Sequence, residues 1–76
     1  MPFRLLNIAT REYLSVRDLM PELNAQTPAK FADAETADEA LEDYDYSYLE
    51  RGEEPPAVEV VEVDAKGKFV RYVEVV

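Results

Sequence analysis

Residues 33–54 read DAETADEALEDYDYSYLERGEE, and the rest of the 76-residue chain is arranged around this stretch. It carries ten acidic residues and one basic residue, so its net charge equals the −9 of the whole chain. Its apolar residues recur at the offsets of one helix face. They are Ala37, Ala40, Leu41, Tyr44 and Tyr48. The stretch therefore predicts an amphipathic helix whose other face is strongly acidic.

Local signals predict where this helix begins and ends. Thr36 and Glu39 have the spacing of a capping box, in which each side chain accepts a hydrogen bond from the backbone N–H of the other residue. Gly52 is a typical helix-stop residue, and the prolines that follow it cannot continue a helix. The sequence thus predicts a helix that begins at Thr36 and ends near Gly52.

Like charges one helical turn apart weaken the acidic face. Asp38 and Glu42, and likewise Glu39 and Asp43, repel each other at a cost of ~0.2–0.5 kcal/mol per pair. No Lys or Arg lies between Phe31 and Glu50 to relieve this repulsion. Because Asp, Tyr and Ser are also indifferent helix formers, we expect the helix to fray after Tyr44.

Two valine-rich runs near the end of the chain predict a β-hairpin. Residues 57–64 and 68–76 flank the loop Ala65-Lys66-Gly67. Gly67 supplies the positive φ that a three-residue hairpin loop requires. Pairing across this loop sets Val63 opposite Phe69.

The valines of the first run do not alternate in a single register. In a regular strand, Val58 and Val60 would lie on one face, whereas Val61 and Val63 would lie on the other. One inserted residue, a β-bulge near Val60-Val61, would keep all four on the core face. We therefore expect a bulge at this position.

The N-terminal part of the chain predicts a second hairpin. Residues 3–8 (FRLLNI) read as a strand that returns over residues 13–16 after a turn,. The alternative is a helix over residues 10–20, capped by Thr10. The strand is preferred because the β-branched and aromatic residues of the returning segment fit an antiparallel sheet.

Together these elements predict an α+β fold. It consists of a small four-stranded antiparallel sheet (ββαββ), with the acidic helix packed on one face. At 76 residues, the chain is expected to form a single domain, residues 1–76,. Sequential strands are expected to be neighbours. The expected core residues are Leu6, Ile8, Leu14, Phe31, Ala37, Ala40, Leu41, Tyr44, Val61, Val63, Phe69, Val73 and Val75.

Groups that support catalysis or bind metals are scarce. The chain has no His and no Cys, which removes the commonest general base, the thiol nucleophile and the imidazole ligand. We therefore expect neither an enzyme nor a cofactor. Asp43, Asp45, Ser47 and Glu54 match ligand positions of a calcium-binding EF-hand loop, but Tyr48 stands where that loop needs glycine. No metal site is predicted.

Charge and hydropathy also bound the location and the partners. The chain has no apolar run of membrane-spanning length and no signal-peptide pattern, so we expect a cytoplasmic protein,. A pI near 4.3 argues against direct binding to nucleic acid or to an anionic membrane, because phosphates would be repelled,.

The acidic face has two interpretations. It is either a solvated, solubilising surface or a docking surface for a basic protein partner. Tyr46 points roughly opposite Tyr44 and Tyr48 on a helix, so it is either an exposed binding residue or a half-buried cover of the helix flank. The predicted partner-binding residues are Asp38, Glu39, Glu42, Asp43, Asp45, Tyr46 and Glu50.

The block DEALEDYDYSYLE, in a short, acidic, cysteine-free α+β chain, resembles phage-encoded inhibitor proteins of the anti-CRISPR and DNA-mimic type. The resemblance covers this block and the general character of the chain. It implies that the acidic face imitates the phosphate row of nucleic acid. It also implies that this face occupies a Lys/Arg-lined channel, with a CRISPR effector complex in the host cytoplasm as the candidate partner. Carboxylates on successive helical turns can engage several Lys or Arg side chains at once.

A different class of function remains open. The chain would then be a phage or plasmid accessory module that binds an ordinary protein surface. If residues 71–76 form an exposed edge strand, they can pair with a second copy in a homodimer or extend the sheet of a partner. Salt dependence separates the two classes, because only nucleic-acid mimicry relies on many exposed charges.

Overall fold

A computed structural model describes residues 2–74 of the chain. The four strands form one antiparallel sheet, and the long helix packs on one of its faces. The predicted α+β fold is confirmed. In chain order, the elements are β1 (Phe3–Asn7), β2 (Glu12–Tyr13), α1 (Val16–Leu19), a 3-10 turn (Pro21–Leu23), α2 (Ala34–Glu50), β3 (Val58–Val63) and β4 (Phe69–Tyr72).

The strands are arranged in the order β2-β1-β3-β4. β1 is an interior strand, because Leu6 pairs with Tyr13 of β2 while Leu5 pairs with Val60 of β3. Sequential strands are neighbours within each hairpin, as predicted. Between the hairpins the prediction is wrong, since β2 lies at one edge of the sheet and does not pair with β3.

Both faces of β3 bury valine, which explains the mixed register of its sequence. β1 and β3 pair without a register shift, so the side chains of β3 alternate between the two faces. Val58 and Val60 pack on the α2 side, whereas Val61 and Val63 pack with Leu6 on the opposite side. The predicted bulge near Val60-Val61 is therefore wrong.

A β-bulge does occur one strand further along the sheet. Val63 pairs with Phe69, as predicted, and Glu62 pairs with Arg71. One step along β3 thus corresponds to two steps along β4, so Val70 is the extra residue. The bulge lies in the edge strand β4. There, the hydrogen bonds between strands can be interrupted without leaving a gap in the interior of the sheet.

The C-terminal hairpin is confirmed over the part of the chain that the structure describes. Gly67 adopts a φ of 82° in the loop, as predicted. The loop is further held by Asp64, whose carboxylate oxygen accepts hydrogen bonds from the backbone N–H groups of Lys66 and Lys68 at 2.8 and 2.9 Å. A carboxylate that bridges two loop amides in this way favours a single loop conformation.

The region between β1 and the 3-10 turn is part strand and part helix. β2 has only two residues, and α1 follows almost at once. Ser15 caps α1: its Oγ accepts from the backbone N–H of Asp18 at 3.2 Å, and the Asp18 carboxylate accepts from the backbone N–H of Ser15 at 2.8 Å. The capping box therefore begins the helix at Ser15, and neither the strand over residues 13–16 nor the helix over residues 10–20 is complete.

The N-cap of α2 lies three residues before the predicted cap, Thr36. Asp33 is the N-cap, and its carboxylate accepts from the backbone N–H of Thr36 at 2.7 Å. This hydrogen bond is the main reason that the pKa of Asp33 is lowered. The predicted capping box of Thr36 and Glu39 is wrong, because Asp is an equally good cap and an earlier start adds a turn of helix.

The predicted fraying after Tyr44 is also wrong, since α2 ends in a regular Schellman motif. The Gly52 N–H donates to the Leu49 carbonyl at 3.0 Å, and the Glu53 N–H donates to the Tyr48 carbonyl at 2.9 Å. Gly52 has the positive φ that this motif needs, 73°. Tertiary packing of the apolar face outweighs the weak helix propensity of this sequence.

The core has two parts, one on each face of the sheet. The larger part, under α2, contains Leu5, Leu14, Ala37, Val58 and Val60. The smaller part, on the other face, contains Leu6, Val61 and Val63 with Tyr13 packed against them. Leu5, Val58 and Val60 were absent from the predicted core. Leu5 was omitted because the prediction placed Leu6 and Ile8 of β1 on the buried face, whereas both faces of this sheet are buried.

The remaining core predictions have mixed outcomes. Five are confirmed as buried: Leu6, Leu14, Ala37, Val61 and Val63. Five others are partly buried and pack against the core: Phe31, Ala40, Leu41, Tyr44 and Val73. Ile8 is half-buried, and Phe69 is wrong because it is 45% exposed. Val75 lies outside the described residues.

Candidate protein-binding site

The seven residues predicted to bind a partner all lie on α2, and they are termed the acidic face below. Five of them are exposed: Glu39, Glu42, Asp43, Tyr46 and Glu50. Asp38 and Asp45 are half-buried along one flank of the helix. Tyr46 is 62% exposed, so it is a surface residue and not a cover of the helix flank.

The spacing of the carboxylates follows from the geometry of the helix. From Asp38 to Glu50 the axis rises about 18 Å, at 1.5 Å per residue, and six carboxylates lie within that length,. This is roughly 3 Å of axis per charge, close to the 3.4 Å per phosphate along one strand of B-DNA. The linear charge density of α2 therefore resembles that of a nucleic-acid strand.

The acidic face has no ion-pair partner within residues 2–74. The ion pairs there are Arg51–Glu53 at 3.4 Å and Arg71–Glu62 at 2.7 Å, and neither involves α2. The carboxylates of α2 thus repel one another and are not neutralised within the described fold. A surface of unpaired like charges attracts an oppositely charged partner over several ångströms.

Asp45 differs from the other acids of this face. One of its carboxylate oxygens, Oδ1, is buried and has no hydrogen-bond partner among the described residues. Burial raises the pKa of Asp45, because an ionised carboxylate is less stable away from water. Asp45 is consequently less accessible to a partner than the exposed acids of this face.

Leu49 is a surface residue that the sequence analysis did not include. It is 60% exposed and lies three residues after Tyr46, so the two side chains are neighbours on the helix surface,. Its position falls outside the spacing of the buried Ala37 and the half-buried Leu41 and Tyr48, which is the signal that could have identified it. Tyr46 and Leu49 form an apolar spot surrounded by carboxylates.

The metal-binding alternative does not fit this geometry. Asp43, Asp45 and Ser47 lie inside α2, so they cannot form the loop that an EF-hand site requires,. Over residues 2–74, no cluster of three or more acidic residues is arranged to hold a metal ion.

Over the same residues, no helix has the length and hydropathy needed to cross a bilayer.

No protein family, curated protein or solved structure matches the chain.

Proposed function

We propose that the protein is a small stoichiometric inhibitor that binds a basic, nucleic-acid-binding surface of a protein partner. The acidic face of α2 occupies the position that nucleic acid would take on that surface. This is a DNA-mimic function of the anti-CRISPR type, and a CRISPR effector complex in the host cytoplasm is the candidate partner. In this role the protein needs no cofactor, performs no catalysis and contacts neither nucleic acid nor membrane directly.

One observation supports this proposal above all others. The acidic face carries six carboxylates, none of which has an ion-pair partner within residues 2–74. Each like-charge pair one turn apart costs ~0.2–0.5 kcal/mol of helix stability. A partner that supplies Lys and Arg side chains converts this repulsion into charge-assisted hydrogen bonds. The unfavourable charge distribution thus becomes favourable in the complex.

The proposal is tested by capturing the partner and then reversing the charge of the acidic face. The tagged protein is incubated with host lysate at low and high salt, and the captured protein is identified. The double variant Glu42→Lys and Asp43→Lys should then weaken binding by about tenfold or more, because both residues are exposed,. Nucleic acid should compete with the protein for the captured partner.

A matched control separates local charge from total charge. Glu22 and Glu54 are exposed acids outside α2. The double variant Glu22→Lys and Glu54→Lys changes the net charge by the same amount and should bind almost as well as the parent. If both double variants bind like the parent, or if binding is insensitive to salt, the DNA-mimic function is wrong.

The edge strand β4 supports a second candidate function. Phe69, Val70 and Tyr72 are between 45% and 46% exposed, although they belong to a sheet edge with unpaired backbone groups. An exposed apolar edge favours strand pairing with another chain. In this alternative the protein is an accessory interaction module that forms a homodimer or extends a partner's sheet through β4.

Sedimentation analysis distinguishes the two functions. A homodimer through β4 should persist at high salt, because backbone hydrogen bonds and apolar contacts are little affected by screening. Val70→Lys should then produce monomers, whereas the Glu42→Lys and Asp43→Lys variant should not. A monomeric parent whose partner binding is lost at high salt favours the DNA-mimic function.

A further inference from the structure

A groove of about 490 Å³ lies beside the acidic face, between α2 and the segments that contain α1 and the loop before α2. Its apolar wall includes Leu19, Phe31 and Ala40, together with Tyr44 and Tyr48. The volume is within the range of pockets that bind small molecules. The groove shares Asp43 with the acidic face, so a partner that covers Asp43 lies at the edge of the groove.

Two tyrosines give the groove an aromatic surface. The rings of Tyr44 and Tyr48 meet edge to face, with centroids 5.1 Å apart, and their hydroxyl oxygens are 3.2 Å apart. A guanidinium already lies on this surface, because Cζ of Arg51 is 4.6 Å from the centroid of the Tyr48 ring. Cations bind to aromatic faces at such distances through the ring quadrupole.

The polar groups around the groove favour a ligand that donates hydrogen bonds over one that accepts them. The carboxylates of Asp18 and Asp43 line it. Burial, the hydrogen bond between the two hydroxyls and nearby negative charge raise the pKa of Tyr44, so its phenol remains protonated. A guanidinium has five N–H donors and no acceptor, which complements two carboxylates and two phenol oxygens.

Two basic residues also line the groove, Lys30 and Arg51. Arg51 is partly neutralised by Glu53 at 3.4 Å. The carboxylates of Asp18 and Asp43 balance these two bases within the lining. The six carboxylates of the acidic face lie on the same helix, so the surroundings of the groove attract a cation and repel an anion,.

We propose that this groove binds one arginine side chain of the basic partner surface. Its guanidinium packs on the tyrosine pair and pairs with Asp18 and Asp43, while its aliphatic stem contacts Leu19 and Ala40. Arginine fits better than lysine, because a planar guanidinium stacks on aromatic rings and forms bidentate pairs with carboxylates. This inference rests on the proposed function, since it assigns a specific contact to the same partner.

The first experiment uses a probe in place of the partner. N-acetylarginine amide is titrated into the labelled protein, and the NMR signals of the Tyr44 and Tyr48 rings and the Ala40 methyl group are followed. Saturable shifts at these groups are expected. N-acetylcitrulline amide, which has the same shape without the charge, should bind several-fold more weakly. Equal binding of both probes, or shifts centred on Tyr46, would overturn the proposal.

Variants of Tyr48 test the aromatic contact. Tyr48→Leu should weaken binding of N-acetylarginine amide by about 2- to 30-fold, the range expected for loss of a cation–π contact. Tyr48→Phe retains the ring face and should bind nearly as well as the parent. Tyr46→Leu removes a tyrosine outside the groove and serves as the matched control. Asp43→Asn, an exposed substitution, should also weaken binding and supplies a second variant that does not disturb the core.

The same variants distinguish failure of this inference from failure of the proposed function. If charge reversal on the acidic face abolishes partner binding but Tyr48→Leu leaves it unchanged, the DNA-mimic function stands and the arginine groove is wrong. If N-acetylarginine amide binds in the groove but charge reversal leaves partner binding unchanged, the DNA-mimic function is wrong and the groove remains a binding site for guanidinium groups.

Discussion

Arg71 on the edge strand donates a hydrogen bond from Nε to Oε1 of Glu62, at a distance of 2.7 Å. Glu62 is only 7% exposed, whereas the side chain of Arg71 is 64% exposed. Alternation along β3 places Glu62 on the same side as Val58 and Val60. A carboxylate within the core layer is thus satisfied by a charged donor that reaches in from the edge of the sheet.

Removing this donor should destabilise the fold. Arg71→Ala leaves the Glu62 carboxylate buried without its partner, and we expect a loss of about 1–3 kcal/mol in the free energy of unfolding. Urea denaturation provides the measurement. Lys68→Ala, which removes an exposed base from the same hairpin, is the control and should change stability by less. Equal effects of the two variants would show that Arg71 acts only through net charge.

Asp45 should limit stability at neutral pH. Because burial raises its pKa, folding is favoured when the carboxyl is protonated and disfavoured when it is ionised. Asp45→Asn should therefore raise Tm at about pH 7. The gain should disappear at about pH 3, since both folded and unfolded states of the parent then carry a protonated Asp45.

The exposed Asp43 provides the control for that substitution. Asp43→Asn also removes one negative charge from α2 but no buried carboxylate. Thermal melts of both variants at the two pH values separate desolvation from like-charge repulsion. If Asp43→Asn raises Tm as much as Asp45→Asn does, the burial of Asp45 has no energetic consequence.

The two glycines form a matched pair for a third prediction. Both have positive φ, 73° at Gly52 and 82° at Gly67, so alanine is strained at either position by about 1–2 kcal/mol,. At Gly52 an added Cβ has no neighbour within 4 Å, but at Gly67 it would lie 2.7 Å from an Arg4 guanidinium nitrogen. Gly67→Ala should therefore destabilise the fold more than Gly52→Ala.

Displacement of Arg4 is the reason for that difference. The Arg4 guanidinium lies 5.1 Å from the centroid of the Tyr13 ring, and it would have to leave this position. Urea denaturation of both variants, and of each combined with Arg4→Ala, measures the coupling. In the Arg4→Ala background the two glycine substitutions should have similar effects. A difference that persists without Arg4 would contradict the explanation.

Salt should stabilise the protein. The carboxylates of the acidic face repel one another without neutralisation within the described residues, and added ions screen such exposed charges,. Tm should rise as NaCl increases from about 0.01 M to about 0.3 M. Glu42→Gln should raise Tm at low salt and have a smaller effect at high salt. A parent Tm that is independent of salt, combined with a destabilised Glu42→Gln variant, would show that these acids are paired.

Local signals account for the parts of the fold that the sequence predicts correctly. The spacing from Ala37 to Tyr48 identifies α2 and its buried face, and Gly67 between two valine-rich runs identifies the C-terminal hairpin. The exposure of five residues of the acidic face also follows from this spacing, because the opposite side of an amphipathic helix faces water; Asp38 and Asp45, on the flank, are half-buried,. Each of these features depends on residues that are close together in the chain.

The incorrect predictions concern contacts between distant residues. No local sequence signal indicates that β1 pairs with β3. The valines that face away from α2 were therefore assigned to the α2 side, through a bulge near Val60-Val61. The groove was not predicted either, because it brings Leu19 of α1 together with Tyr44 of α2. Helix propensity also underestimated the length of α2, because its last turns are stabilised by packing and by the Schellman motif at Gly52.

The interior position of β1 determines when the protein can fold during synthesis. Its partners in β3 are between 51 and 59 residues further along the chain, from Asn7 with Val58 to Phe3 with Glu62. Contacts of such long sequence separation form slowly, because a large loop must close before they stabilise anything. β1 therefore cannot pair with β3 until most of the chain has left the ribosome. Until then, the apolar side chains of β1 remain exposed to solvent. The acidic helix lies within that loop, so the β3 part of the sheet on which it packs is synthesised after it.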